Sequence, residues 1–334
     1  MAHRANRQVI LANRPAGIPR SEHFAIADSM IGDPEPGQVL VKNEYLSVDP
    51  AMRGWVSAES NYSSPVPVGS VMRGSAVGTV IESNKTRLQI GDQVVGRFGW
   101  QEYALVAETD HVLRVNTAFP ASLALGVLGA NGITAWLGLL DVARPLPGEL
   151  VVVSTAAGAV GSVVGQLARL AGCRTIGITS SQRKVDICLD EYGFDSALNY
   201  RAPDFREELE EACGDGVDVY FDNTSGPISD SLMPHLAHGA RVVVCGTAAI
   251  ESWDPWPSGP RVHRHLLTKG ASMHGFLLQD HAHEFEGVLE RLAPLVRSGA
   301  IRYHEHVLDG LESAPGAVSL LYEGGNVGKT IIRL

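Results

Sequence analysis

One turn near the middle of the chain constrains its fold more than any other feature. The segment from Val151 to Gly161 reads as a continuous apolar strand, a tight turn and the start of a helix. Ala156, Gly158 and Gly161 occupy the three small positions of a G-x-G-x-x-G pattern, with Ala in the first. The first position allows the turn, the second lets backbone approach a pyrophosphate, and the third lets the helix pack on the strand. Since the pattern lies between a strand and a helix, it predicts a Rossmann unit that binds a dinucleotide at the helix N-terminus.

The sequence around this turn alternates between two periodicities. Apolar runs predict strands over 150–154, 175–179, 197–199, 218–221, 241–245 and 272–277, and helical spacing predicts helices over 160–171, 184–192 and 205–213. Alternating strands and helices favour a parallel, doubly wound α/β sheet.

The first third of the chain has a different pattern of apolar residues. Short apolar stretches at 38–41, 78–81 and 93–98 are separated by Gly, Pro, Asp and Asn, which is typical of a β-rich barrel or sandwich. The tail ends in a Gly-rich turn and a strand over 324–332, which could join either sheet.

Charge and cysteine usage restrict the partners and the compartment. The net charge of −10 disfavours nucleic acid and anionic membrane surfaces as partners. No apolar run is long enough to span a bilayer, and the N-terminal residues lack the apolar core of a signal peptide. The four cysteines are scattered without a C-x-x-C pair, as expected for reduced thiols. We therefore expect a cytoplasmic protein that acts on a small molecule.

The second predicted strand indicates which dinucleotide binds. An NAD site has Asp or Glu about twenty residues after the Gly-rich turn, but residues 178–184 contain no carboxylate. Hydroxyl groups and two cations stand there instead, and a 2′-phosphate needs such donors. The sequence predicts NADP(H), with Ser180 and Lys184 as contacts and Arg183 as an alternative.

Ordered motifs occur along nearly the whole chain. The motifs are V-D-P-A-M-R at 48–53, L-G-A-N-G-I-T-A at 128–135, the segment 156–166, N-Y-R at 199–201, F-D-N at 221–223, C-G at 245–246 and 325–330. Together they resemble the medium-chain dehydrogenase/reductase superfamily. Within it, they are similar to the zinc-free leukotriene hydroxydehydrogenase/prostaglandin reductase family, which includes alkenal and curcumin reductases.

The resemblance implies a particular domain arrangement and a cofactor site. It implies a GroES-like β-rich domain over 1–122, a Rossmann domain over 123–301, a tail over 302–334 that returns to the first domain, and a homodimer. Tyr200 and Lys184 would flank the adenosine phosphate, and Asn223 and Asn326 would lie nearer the ribose and nicotinamide. The residues implied to line the NADPH site are Gly158, Ala159, Val160, Lys184, Tyr200, Asn223, Cys245, Phe276 and Asn326.

Metal ligands of the zinc-dependent relatives are missing. The corresponding stretches, Ser47–Asp49 and Met72–Ser75, contain no thiol or imidazole, and the lobe with four cysteines is absent. Three H-x-H pairs are interpreted as surface histidines. Without a Lewis acid, the expected reaction is reduction of the activated C=C bond of an α,β-unsaturated ketone or aldehyde by hydride transfer to the β-carbon.

At two positions that contact the substrate in family members, this sequence departs from the family pattern. Family members commonly offer two tyrosines, but this chain has Ala51 at one position and Glu251 or Ser252 at the other. Tyr45, Tyr62 and Ser252 are the remaining candidates for a hydroxyl donor.

Several aromatic residues are interpreted as walls of an apolar substrate pocket. The alternative is that the Trp side chains among them bury the loop that carries Trp253 and Trp256 on the core. The pocket residues are predicted to be Ala51, Arg53, Trp55, Tyr62, Trp100, Trp253 and Trp256, together with Phe276. A zinc-free quinone reductase and a non-catalytic NADPH-binding protein stay open as alternative functions.

Overall fold

The computed structural model describes residues 4–58, 63–107, 109–253 and 255–334. Contacts within the chain divide it into two compact units. Unit 1 consists of Met1–Gly126 with Glu305–Leu334, and unit 2 consists of Val127–His304. None of the helices formed by the described residues is long and apolar enough to cross a membrane.

Strands occur in both units. In chain order they are β1 (Arg4–Leu11), β2 (Phe24–Ile31), β3 (Gln38–Ser47), β4 (Ala76–Asn84), β5 (Gln93–Gly96), β6 (Tyr103–Ala107), β7 (Leu113–Arg114), β8 (Leu150–Ser154), β9 (Arg174–Thr179), β10 (Ser196–Asn199), β11 (Val217–Asp222), β12 (Leu236–Val244), β13 (Ser272–Gly275), β14 (Glu305–Asp309) and β15 (Lys329–Arg333).

Most helices belong to unit 2. The helices are α1 (Ala51–Val56), α2 (Ala130–Trp136), α3 (Gly161–Leu170), α4 (Gln182–Asp190), α5 (Phe205–Cys213), α6 (Gly226–Leu232), α7 (His263–Lys269), α8 (Phe285–Arg297) and α9 (Ala314–Glu323). A π-helical stretch, Leu137–Ala143, continues directly from α2.

Unit 1 is the β-rich unit that the sequence predicts. Its main sheet has the order β14-β15-β3-β4-β5-β7, β6 also pairs with β3, and β1 and β2 form a separate antiparallel pair. A core of buried side chains that includes Val41, Leu46, Met52 and Trp100 packs against this sheet. The C-terminal strand β15 pairs antiparallel with β3 and parallel with β14, so the tail joins the sheet of unit 1.

Unit 2 contains the doubly wound sheet. Its order is β10-β9-β8-β11-β12-β13, and every pair is parallel. This is the Rossmann order, in which the chain starts at the centre, builds one half and then returns to build the other. All five residues of β8 are buried, as a strand covered on both faces requires. The predicted α/β fold class is therefore confirmed.

Strand β12 differs from its predicted bounds. The apolar run predicts a strand from residue 241, but the strand begins at Leu236. The pairing register with β11 shifts between Val217 and Val219, and Gly239 has a φ of +74°. An irregularity that includes His238 and Gly239 therefore interrupts the apolar pattern without ending the strand.

Candidate functional site

The predicted cofactor residues of unit 2 follow the carboxyl ends of its strands in the order of the sheet. Because the strands are parallel, these ends lie along one edge, where doubly wound proteins bind their ligands. From one side of the sheet to the other, the residues are Tyr200 after β10, Ser180 after β9, Gly158 after β8, Asn223 after β11, Cys245 after β12 and Phe276 after β13. We call this set the strand-end row.

The Gly-rich turn after β8 has the close contacts that its sequence predicts. The backbone N–H of Gly158 donates to the Thr155 carbonyl at 2.8 Å, and α3 begins at Gly161. A Cβ atom at Gly161 would lie 2.3 Å from the Thr155 oxygen, which explains the need for glycine. Ala159 and Val160 lie half-buried between the two glycines. The positive end of a ten-residue helix therefore faces this turn.

A group of cations lies where the 2′-phosphate contacts are predicted. Lys184 Nζ donates to Ser180 Oγ at 3.3 Å. Burial lowers the pKa of the Lys184 ammonium, and the positive charges of Arg201 and Arg183 lower it further. A bound anion would relieve this repulsion, so the residues fit a phosphate group.

Arg201 is a candidate site residue that the sequence analysis did not single out. Its guanidinium carbon lies 5.6 Å from the centre of the Tyr200 ring, beside the Lys184 cluster. Its position directly after Tyr200 in the N-Y-R motif was the available signal.

The other half of the strand-end row is fixed by backbone contacts. Asn223 Nδ2 donates to the Ser154 carbonyl at 2.7 Å, and its backbone N–H donates to Ser154 Oγ at 2.8 Å. The N–H of Phe276 donates to the carbonyl of Val244 at 3.2 Å. Burial and the Asp222 charge raise the pKa of the Cys245 thiol to about 12, so this thiol is neutral and a poor nucleophile near pH 7.

The loop before α7 carries an aromatic pair. The rings of Trp253 and Trp256 lie 4.9 Å apart between centroids, and Trp256 is 78% exposed. Ser252 is exposed beside them. The Phe276 ring, in contrast, is buried and packs 5.1 Å from the ring of His281. In the structure, this loop does not bury its indoles on the core.

In unit 1, three predicted pocket residues lie on α1. Ala51 and Trp55 are four residues apart and share one face of the helix. The Arg53 guanidinium lies 4.5 Å from the centre of the Tyr322 ring. Trp55 Nε1 is buried, and no acceptor for it occurs in the part of the chain that the structure describes. An unpaired buried donor of this kind calls for a ligand atom or a water molecule.

The structure corrects the interpretation of Trp100. Its side chain is fully buried, its Nε1–H donates to the Ser47 carbonyl at 2.9 Å, and its ring packs 5.9 Å from Phe24. It has no surface left to line a substrate pocket, because the core of unit 1 encloses it. Tyr62 lies outside the described residues.

Tyr45 and Asn326 also belong to unit 1. Tyr45 is half-buried on β3 and packs against a small apolar cluster that includes Val77 and Ile331. Asn326 Nδ2 donates to the Gly328 carbonyl at 3.2 Å. The roles assigned to these two side chains stay predictions.

A partly buried ion pair occupies the stretch where zinc-dependent relatives have a cysteine ligand. Ser47 Oγ donates to Asp49 Oδ2 at 2.5 Å, and Lys329 Nζ lies 2.6 Å from Asp49 Oδ1. Lys329 Nζ also donates to the Val48 carbonyl at 2.8 Å. Across residues 4–58, 63–107, 109–253 and 255–334, no group of three or more His, Cys, Asp or Glu side chains is arranged to hold a metal ion.

Comparison with known proteins matches both halves of the chain. Residues 7–115 match the N-terminal domain of an oxidoreductase, and residues 159–294 match a family described as zinc-binding dehydrogenase. A putative NADP-dependent oxidoreductase of Bacillus subtilis is 42% identical, with 99% of this chain and 98% of that protein covered. An NADPH-dependent curcumin reductase of Escherichia coli is 39% identical, with coverages of 98% and 97%. The crystal structure of CurA from Vibrio vulnificus with NADPH has a TM-score of 0.93, 39% identity and 98% coverage of both chains.

Proposed function

The chain belongs to the zinc-free alkenal and curcumin reductase family of the medium-chain dehydrogenase/reductase superfamily, and from this membership we infer that it is an NADPH-dependent reductase. It reduces the activated C=C bond of α,β-unsaturated ketones and aldehydes. The observation that carries this function is the strand-end row, in which every strand of the parallel sheet contributes a residue to one ligand-binding edge.

The two ends of the strand-end row have different tasks. Lys184, Ser180 and Tyr200, with Arg201 beside them, bind the 2′-phosphate, because cations and hydroxyl donors are concentrated there. Asn223, anchored to β8, orients the nicotinamide end together with Cys245 and Phe276. When bound, NADPH supplies the hydride that adds to the β-carbon.

The substrate carbonyl needs hydrogen-bond donors because negative charge develops on its oxygen during hydride transfer. We assign Trp55 Nε1–H as the leading donor, since it is unpaired among the described residues and lies one helical turn from Ala51. Tyr45 and Ser252 are further candidates. The Trp253 and Trp256 pair supplies apolar surface for a bulky or aromatic substrate.

Two finer properties of the protein belong to this proposal. We propose a homodimer, because β13 is an edge strand of its sheet and exposed Leu267, Met273 and Leu277 lie on or near it. We also propose a cytoplasmic location, since Cys173, Cys188, Cys213 and Cys245 are free thiols. A monomer in sedimentation analysis would contradict the dimer.

Coenzyme preference tests the assignment of the cofactor site. Lys184→Ala should raise KM for NADPH by about tenfold or more and leave KM for NADH nearly unchanged, because only NADPH carries the 2′-phosphate. Arg206→Ala is a matched control, since it removes one exposed positive charge from α5. Equal effects of both variants, or a wild-type preference for NADH, would refute the assignment.

A substrate panel tests the reaction. Loss of dihydronicotinamide absorbance should follow addition of enones, enals or curcumin, and the product should carry a saturated Cα–Cβ bond. Trp55→Phe should lower kcat with little change in Kd for NADPH. Replacing Trp253 and Trp256 by Ala should raise KM for the substrate without unfolding the protein. Tight NADPH binding without turnover on any enone or enal would reject the proposed reaction.

A further inference from the structure

The end of the central strand β11 carries a buried negative charge. Asp222 is 2% exposed and directly precedes Asn223 in the strand-end row. Within the described residues its carboxylate has no cationic partner, and neutral groups alone donate to it. The Thr224 and Ser225 N–H groups donate to Oδ1 at 2.9 and 2.8 Å, the Tyr220, Thr224 and Ser154 hydroxyls at 3.0, 3.3 and 3.4 Å, and the Ser229 hydroxyl donates to Oδ2.

The geometry of this network suits a carboxylate. Five of the donors converge on Oδ1, more than the two lone pairs of an asparagine amide oxygen accept. Hydrogen bonds from neutral donors offset the cost of burying the carboxylate, but they leave its net charge in place. A net charge without a cationic partner acts on the groups around it.

The charge of Asp222 acts on the strand-end row itself. It contributes, after burial, to the raised pKa of the Cys245 thiol and to that of the Tyr220 hydroxyl. Its carbonyl also accepts the Cys245 N–H at 2.8 Å. The backbone of Asp222 therefore contacts both Asn223 and Cys245, two of the residues assigned to the nicotinamide end.

Backbone strain beside Asp222 also indicates that this segment belongs to a ligand-binding position. Ser225 has φ of +55° and ψ of −162°, a conformation that is essentially restricted to glycine. The Ser225 N–H donates to Asp222 Oδ1, and its hydroxyl donates to the Gly246 carbonyl at 3.3 Å. Non-glycine residues keep such a conformation only where the surrounding contacts hold it, and these sites cluster at ligand-binding positions.

We propose that Asp222 is a positioning residue whose buried negative charge stabilises the positive charge that develops on the nicotinamide ring during hydride transfer. The inference rests on the proposed function. In the step, a C–H bond of the dihydronicotinamide breaks, the hydride and its two electrons bond to the substrate β-carbon, and the α-carbon takes a proton from solvent. Asp222 neither gains nor loses a proton.

The test is the ratio of two dissociation constants, Kd for NADP⁺ over Kd for NADPH, measured by calorimetry without substrate. Asp222→Asn should raise this ratio about tenfold, the order expected for one unit charge acting through partly buried protein. Asp218→Asn is the matched control: it neutralises a carboxylate on the same strand, ~13 Å nearer its amino end, where Oδ2 accepts the Leu150 N–H at 2.8 Å. The control should leave the ratio unchanged.

A ratio in Asp222→Asn that is unchanged or lower, including equal weakening of both cofactor forms, would overturn the proposal, because a merely structural role weakens both forms alike. If this variant does not fold, Ser229→Ala is measured. It keeps the charge but removes a neutral donor, so the ratio should fall; a ratio at or above the wild-type value would then overturn the proposal. Failure of the wild type to bind either cofactor form would instead refute the proposed function.

Discussion

Removal of the Lys329 ammonium should destabilise unit 1 strongly. The side chain of Lys329 is 5% exposed, and its Nζ is the cationic partner of Asp49 and a donor to the Val48 carbonyl. In Lys329→Met the aliphatic stem keeps its volume, so no large cavity forms. Among the described residues, Asp49 then keeps only the Ser47 hydroxyl as a side-chain donor, with a carboxylate that is 23% exposed.

The expected loss in free energy of unfolding is about 3 kcal/mol. Breaking a buried pair by removing one partner costs about 3–5 kcal/mol, and the partial exposure of Asp49 favours the lower end. Adding Asp49→Asn to Lys329→Met removes the stranded charge, so the double variant should be more stable than Lys329→Met alone. A double-mutant cycle of Lys329→Met and Asp49→Asn should give a coupling energy of about 1 kcal/mol or more.

Native-state hydrogen exchange measured by mass spectrometry reads this loss within unit 1. The Ser47 and Val48 N–H groups donate to the carbonyls of Ser75 and Thr330, so a peptide spanning residues 46–53 reports on the pair. Its protection should fall about 100-fold in Lys329→Met, while a peptide over 150–160 of unit 2 serves as the internal control. A fall of less than about fivefold, or an equal fall in both peptides, would refute the reasoning.

Three further predictions follow from local contacts. Ser225→Gly should be more stable than Ser225→Ala by about 1 kcal/mol in urea unfolding, because both lose the hydroxyl and only glycine relaxes the φ of +55°; equal stabilities would contradict the strain. Gly165→Ala should lower the free energy of unfolding by about 1–3 kcal/mol, since its Cβ would lie 1.9 Å from Phe194 Cζ, and Phe194→Leu should restore part of the loss in thermal unfolding. Burial raises the pKa of Cys188 to about 12, so the folded state holds this proton longer than the unfolded state and stability should fall as pH rises from about 9 towards 12. The fall should be shallower in Cys188→Ala, and an identical pH dependence in both proteins would argue against it.

Local sequence patterns were sufficient for the part of the Rossmann unit from β8 to β11. A buried strand needs a continuous apolar run, a helix on its face needs spaced apolar residues, and a phosphate turn needs glycine where a Cβ would collide. These are short-range requirements, and β8, the turn at Gly158 and α3 satisfy them within about twenty residues. The parallel order of the sheet then follows from the connections, and it predicts the edge along which Ser180, Tyr200 and Asn223 lie.

The tertiary structure decided what depends on contacts between distant segments. The tail strand could have joined either sheet, because its apolar pattern is compatible with both, and only its pairing with β3 assigns it to unit 1. Trp100 has the same side chain as Trp256, yet one is enclosed by the core and the other is 78% exposed. The Lys329–Asp49 pair likewise joins residues 280 positions apart, which no local pattern relates. Burial and ion pairing are set by which segments surround a side chain, and that information is spread over the whole chain.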